Sequence, residues 1–235
     1  MSITDDVNRL AQQVAELSNE IGMLSDVHAI RKLQHAYCYY LDKCLYDEVV
    51  DLFADTGEVR FMGGAFKGRA GLRRLYCGRF RERFTGGHNG PIHGFLLEHL
   101  QLQDIVDVAP DRKTACGRFR YFMQAGSHES RQAPVAGMPL QWWEGGLYEN
   151  EFVRENGVWK FQLVNNQAVY HGLYDKGWRH TPAKFVPFFA TVYPADPTGP
   201  DELIEPKAAL WPDTDVLAFH YVHPVTGKRW SPVPA

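Results

Sequence analysis

Ten histidines, four cysteines and 28 acidic side chains are the raw material for chemistry in this 235-residue sequence. No histidine or cysteine spacing suggests a metal site, and no phosphate-binding loop, dinucleotide fingerprint or nucleophile elbow is present. What remains is acid–base work without a metal or cofactor, for which imidazole is the natural group because it titrates near neutrality. His93 stands where the glycine-rich stretch Gly86–Pro91 gives way to an apolar run, and His171 follows the last such run with Asn165 and Tyr170 before it. Their plainer use is a strand-end histidine bonded to backbone. Tyr37 and Tyr40 precede Asp42 on a helical pattern, where their phenols either enter a pocket or simply pack. Arg118 and Arg120 alternate with Phe119 and Tyr121, so the arginines share one face of a strand. An arginine facing a pocket would stabilise a phenolate or enolate; solvent exposure is the alternative for at least one of them. Trp142 and Trp143 can wall an aromatic substrate or pack a sheet.

These residues need a frame. Ile30, Leu33, Tyr37, Leu41 and Cys44 recur at three or four residues, which predicts a helix with one apolar face ending near Asp42. A short amphipathic run, Val49–Leu52–Phe53, precedes the turn signal Asp55-Thr56-Gly57, and Glu58–Met62 then alternates as a strand. Arg69–Phe84 reads as a helix with Leu72, Leu75, Tyr76 and Phe80 inward. Four strands are expected at about 93–106, 113–125, 142–154 and 158–170, and Gly126–Gln141, with Pro134 and Pro139, is a long segment that can arch over a pocket mouth. Residues 4–26 form the clearest helix. There Val7, Leu10, Val14, Leu17, Ile21 and Leu24 alternate at four and three, a helical seam three heptads long. Helices first and antiparallel strands after indicate an α+β fold.

The order of these motifs resembles the nuclear transport factor 2-like superfamily, in its SnoaL-like and scytalone-dehydratase-like branch. The matching residues are Tyr40-Leu41-Asp42, Asp47, Leu52-Phe53-Ala54-Asp55, Phe66-Lys67-Gly68, Gly146-Leu147-Tyr148-Glu149-Asn150 and Asn156-Gly157-Val158-Trp159-Lys160. The resemblance implies a cone-shaped α+β barrel over 27–171, with helices packed in a curved, mainly antiparallel sheet. It implies a catalytic pair of His93 and Asp42, the carboxylate orienting the imidazole. It also implies differences from the dehydratases, since Leu41 and Phe61 stand where those enzymes carry pocket tyrosines and the second histidine falls near Phe119 or Arg120. Tyr37, Tyr40, Arg120 and His171 are the further catalytic candidates. Phe61, Phe119, Tyr121, Trp142, Trp143, Asn165 and Tyr170 are the candidate substrate contacts.

The domain is flanked by the helical extension 1–26 and by 172–235, which holds ten of the fourteen prolines and many aromatics. That composition suits an extended strap lying on the domain or on a neighbouring subunit. Basic residues are scattered and outnumbered, 25 against 28 acidic, which argues against a nucleic-acid partner. The cysteines form no CxxC pair and read as free thiols; with no signal-peptide pattern and no long apolar run, a cytoplasmic protein without a membrane partner is expected. The seam must be buried either on its own domain or against another subunit, and together with the strap it leads to the expectation of a homo-oligomer, a dimer or a trimer. The functional expectation is a lyase acting on a hydrophobic aromatic small molecule. The long aromatic strap and the missing dehydratase tyrosines are similar to enzymes that release formaldehyde from lignin-derived diaryl dimers. The alternatives are a dehydratase or isomerase of a polyketide-like or steroid-like substrate, and a non-catalytic scaffold resembling a dioxygenase small subunit.

Overall fold

The helix expected over 4–26 and the one expected after His28 are a single helix. In the computed structural model, which describes residues 3–131, 137–183, 189–205 and 211–231, α1 runs unbroken from Ile3 to Asp42. Residues 7–21 are exposed all round, and the first fully buried side chain is Asp26. From there α1 lies against the sheet, burying Ile30, Gln34, Tyr37, Cys38 and Leu41.

Two polar clamps fix its position. Asp26 accepts hydrogen bonds from Arg112 Nε at 2.6 Å and Trp159 Nε1 at 3.0 Å, with Arg154 at 3.3 Å. Gln34, fully buried, donates to Gln101 Oε1 at 3.1 Å and accepts from Asn150 Nδ2 at 2.8 Å. A buried amide left unpaired would cost about 1–3 kcal/mol, so these partners define one depth and rotation for the helix.

The short α2 (Tyr46–Asp51) leads into β1 (Phe53–Phe61) and β2 (Gly64–Lys67). The turn expected at Asp55-Thr56-Gly57 lies within β1, where the pairing with the last long strand shifts register between Phe53 and Glu58. A bulge, not a chain reversal, absorbs those turn-forming residues. The helix expected over 69–84 is three pieces: α3 (Gly68–Arg73), a π-helical stretch (Arg74–Phe80) and α4 (Arg81–Thr85). Four long strands follow, β3 (Phe95–Val108), β4 (Thr114–Ser127), β5 (Gln141–Glu155) and β6 (Val158–Leu173), then α5 (Gly177–His180) and a two-residue β7 (Glu202–Leu203).

The sheet order is β3-β4-β5-β6-β1-β2-β7, with β1 parallel to β6 and every other pairing antiparallel. It is curved and does not close, so the fold is an open cone around α1. Its concave face carries the core, in which the Tyr37, Phe53, Phe161 and Tyr148 rings meet edge-on or tilted at centroid separations of 5.2–6.3 Å.

The strap lies on its own domain. Asp201 accepts the Lys67 N–H and pairs with Arg74, and Glu202–Leu203 adds β7 to β2. Arg118 donates to the Ala218 and Leu217 carbonyls, at 2.5 and 3.3 Å, and stacks over Phe219 at 4.5 Å. All four cysteines are free thiols. No helix among the described residues is long and apolar enough to cross a membrane.

Candidate active site

Inside the cone is a cavity whose empty space, mouth included, is about 1070 Å³. Its walls are mostly apolar: Val59, Phe61, Leu75, Phe80, Leu97, Met123, Trp142 and Val164 among others. The strap contributes Phe189, and the Gly126–Gln141 segment contributes Met138; Pro134 of that segment lies outside the described residues. Against this lining the polar groups are few: Tyr37, Tyr76, His99, Glu144, Tyr148, Asn166, Arg79 and Arg83.

His99 is fixed by the end of α1. Asp42 Oδ1 lies 2.6 Å from its Nδ1, and both carboxylate oxygens accept the His99 backbone N–H at 3.0 Å. Sheet geometry explains why this histidine enters the cavity. On β3, Leu97 and His99 alternate on the concave face opposite Ala125 and Met123 of β4. With Nδ1 engaged by Asp42, Nε2 is the nitrogen left to meet a ligand, the arrangement a general acid–base requires.

A second polar cluster surrounds Glu144 of β5. Glu144 is fully enclosed; its Oε2 is 2.6 Å from His171 Nε2 and its Oε1 accepts the Tyr121 hydroxyl at 2.5 Å. Asn166 Nδ2 donates to that same hydroxyl at 3.1 Å. Burial works to raise the Glu144 pKa, but His171, the Tyr121 hydroxyl and nearby His99 outweigh it and hold the carboxyl below its usual range. Burial, then Glu144, push the Tyr121 phenol well above its usual range, so it stays a donor. Burial likewise raises Tyr37 and Tyr76, whose hydroxyls share a hydrogen bond at 2.9 Å.

Two features of the sheet build this cluster. Gly145 pairs with Tyr170 but Gly146 pairs with Ala168, so one residue of β6 bulges between them. The bulge reverses the alternation, which brings both Asn166 and His171 to the concave face although they differ in parity. Gly146 is needed for close approach: a Cβ there would lie 2.4 Å from the Gln167 carbonyl and 2.7 Å from the Tyr121 hydroxyl.

The sequence candidates divide accordingly. Tyr37, Phe61 and Trp142 line the cavity, and Asp42, Tyr121 and His171 support it through hydrogen bonds or ion pairs. His93 does not meet Asp42. It is exposed, and its Nε2 lies 2.9 Å from Ser130 Oγ. The chain is still turning at His93 and enters β3 only at Phe95, so the residue that reaches the helix end is His99. Arg120 is exposed on the convex face, and Arg118 on the same face is held by Glu149 at 2.5 Å and by the strap. Neither faces the cavity.

Phe119 is concave but belongs to the deep core, edge-on to Phe152 at 6.3 Å. Trp143 and Tyr170 are convex and pack against Trp178 at 6.1 and 6.2 Å. Tyr40 is half-buried against the core and absent from the cavity lining. Asn165 is turned away and accepts from Gln167, while its neighbour Asn166 points in. His99, Glu144, Asn166, Arg79 and Arg83 also line the cavity and are not among the sequence candidates. His99 and Glu144 carried a usable signal, each a lone titratable residue at an inward position of an apolar strand.

With the fold and site in view, the relatives are informative. The SnoaL-like domain family matches residues 22–165, so this chain belongs to the SnoaL-like family. Among solved structures, a candidate scytalone dehydratase from Novosphingobium aromaticivorans aligns with TM-score 0.50 and 19% identity, covering 64% of this chain and 89% of that one. A type-2 hexachlorocyclohexane dehydrochlorinase aligns with TM-score 0.51 and 19% identity, over 65% and 90% of the two chains. The type-3 enzyme from Novosphingobium barchaimii gives TM-score 0.51 and 19% identity over 73% and 99%. At these identities the likeness establishes the shared α+β cone. No curated protein matches the sequence.

Proposed function

We propose that the chain is a lyase that uses acid–base chemistry without a cofactor on a hydrophobic, phenolic aromatic molecule, and that its reaction releases formaldehyde from a diaryl propanediol. The observation that carries this reading is the Asp42–His99 pair, with His99 in the wall of a cavity otherwise lined mostly by aromatic and aliphatic side chains. Structurally similar proteins named as a dehydrochlorinase and a candidate dehydratase lend support, since both names describe eliminations.

The chemistry needs only groups present in the cavity. The substrate enters as a phenolate; His99, protonated, gives its proton to the departing benzylic hydroxyl, which leaves as water while the ring electrons form a quinone methide. Neutral His99 then takes the proton of the terminal hydroxyl. The C–C bond to that carbinol carbon breaks, formaldehyde leaves, and the bonding pair forms the stilbene double bond as the ring returns to phenolate. One diol gives one stilbene, one formaldehyde and one water, with no net redox change. Asp42 holds the imidazole in one tautomer and stabilises its cation. Glu144, with Tyr121, Asn166 and His171, keeps a hydrogen-bonded, negatively charged patch facing the cation of His99.

The test is to incubate the protein with a 1,2-diaryl-propane-1,3-diol bearing a para-phenol and to assay formaldehyde and stilbene together. Equal amounts of both support the reading. Water loss without formaldehyde would assign a dehydratase instead, and no turnover of any such diol would overturn it.

A further inference from the structure

The cavity contains a cation with no counter-ion among the described residues. Arg79 and Arg83 both line it, four residues apart where the π-helical stretch passes into α4. Arg79 is answered: its Nη1 lies 3.0 Å from Asp196 Oδ2, and its guanidinium stacks over Phe189 at 4.5 Å. Arg83 is not. Its Nη2 reaches only the Gly137 carbonyl at 3.5 Å, and its Nε is buried with no hydrogen-bond partner among the described residues. No carboxylate there forms an ion pair with it, and the residues outside that description contain no Asp or Glu. Burial and the neighbouring Arg79 both push the guanidinium below its usual pKa, a cost that an anion would relieve.

Resting on the acid–base reading of the same cavity, we propose that Arg83, with Arg79 beside it, is the subsite for the anionic oxygen of an aromatic substrate, a phenolate held there through the reaction. The two ends of the lining differ in a way that suits this. Arg79, Arg83, Phe84 and Met138 are partly exposed, while Glu144, Tyr148 and Tyr76 are buried. The charged ring oxygen stays at the rim and the aliphatic carbons reach inward. A planar guanidinium suits an oxyanion better than an ammonium would, because its N–H groups form a fixed fork.

The test uses 4-nitrophenol, whose anion absorbs in the visible, and its neutral counterpart 4-nitroanisole. With wild-type protein the bound phenol should titrate about one unit lower than in water, a roughly tenfold preference for the anion. Arg83→Gln should abolish that shift, Arg83→Lys should keep part of it, and 4-nitroanisole should bind all three proteins alike. A probe bound as the neutral phenol by the wild type, or the same shift in Arg83→Gln, overturns the proposal. Because no turnover is involved, the subsite can stand while the formaldehyde reading fails, and the reverse.

A separate observation concerns α1. Val7, Leu10, Val14, Leu17, Ile21 and Leu24 are 55–71% exposed, so the seam finds no cover on its own domain. The positions of one class, Val7, Val14 and Ile21, are all β-branched, and those of the other, Leu10, Leu17 and Leu24, are all leucine. That division favours two parallel strands. The flanking positions Ala11, Ser18 and Ser25 on one side meet Asp6, Gln13 and Glu20 on the other without like-charge pairing. We infer that the occupant is a second copy of this chain, its α1 parallel and in register.

Leu17→Cys under mild oxidation should give a covalent dimer, and Leu17→Asp should lower the mass in solution to the 26.8 kDa of one chain. A monomeric or trimeric wild type, or an unchanged dimer in Leu17→Asp, overturns it.

Discussion

Asp42, the last residue of α1, holds His99 of β3 by three hydrogen bonds, one to ring Nδ1 at 2.6 Å and two to its backbone N–H at 3.0 Å. The backbone bonds matter as much as the ring bond, because they fix the strand against the helix end before the imidazole is aimed. If this pair does the acid–base work, His99→Ala lowers kcat by about 10²–10⁴, the usual contribution of a positioned proton donor. Asp42→Asn should show a comparable loss, and the double variant little more than the worse single one, since the two act as a unit. His93→Ala, whose side chain meets only Ser130 Oγ at the surface, should stay within a few-fold of wild type. Formaldehyde release at saturating diol is the measurement; a large loss in His93→Ala would return the role to that residue.

Gly146 gives a second test. Alanine there places a methyl 2.4 Å from a backbone carbonyl that cannot swing away and 2.7 Å from the Tyr121 hydroxyl. Overpacking of this kind costs about 1–3 kcal/mol, so Gly146→Ala should lower the denaturant midpoint accordingly. Tyr121→Phe removes the same hydroxyl without the clash. Both variants should lose stability, Tyr121→Phe because Glu144 Oε1 and Asn166 Nδ2 each lose a partner; activity lost in both assigns the effect to the hydrogen bond, and activity lost only in Gly146→Ala assigns it to the packing.

Much of the frame was legible because it follows from periodicity. The four long strands, the helix ending at Asp42 and the α+β class all rest on alternation or on three-to-four spacing. The site was less legible because it depends on register. Asn165 was expected to face the pocket and Asn166 does, since the bulge between Ala168 and Tyr170 resets which residues of β6 point inward. His93 was misplaced by one turn of chain, as Gly94 and its neighbours delay the start of β3 to Phe95. The arginines needed the curvature of the sheet: alternation paired Arg118 with Arg120 correctly, but only the three-dimensional fold puts that face outside and Arg79 and Arg83 inside.

Arg118 is instead the clasp of the strap. It bonds Glu149 and two strap carbonyls and lies over Phe219, while His220 of the strap approaches Glu149 at 2.5 Å. Arg118→Met keeps much of the side-chain volume but removes every donor. Limited proteolysis should then cut near residues 211–231 several-fold faster than in wild type, with the diol reaction little changed. Unaltered cleavage would mean that the aromatic contacts hold the strap without the cation.

The last prediction concerns pH. Burial acts to raise the Asp26 pKa, but hydrogen bonds from Arg112 and Trp159 and the charges of Arg154 and Arg112 prevail and lower it. A carboxylate whose pKa is lower in the folded chain contributes stability that is fully present above its unfolded value, near 4. That contribution is lost as pH falls through the folded value. Asp26→Asn should therefore destabilise the protein by about 1–3 kcal/mol at neutral pH, the range for a charged hydrogen bond broken in a buried setting. The gap to wild type should narrow as pH falls below about 4, where the unfolded wild-type chain takes up a proton that the folded carboxylate still excludes. Urea midpoints at pH 7 and pH 3 measure both ends. A difference that stays constant between them would mean that Asp26 acts through shape alone, and that the arginines find other partners when its charge is gone.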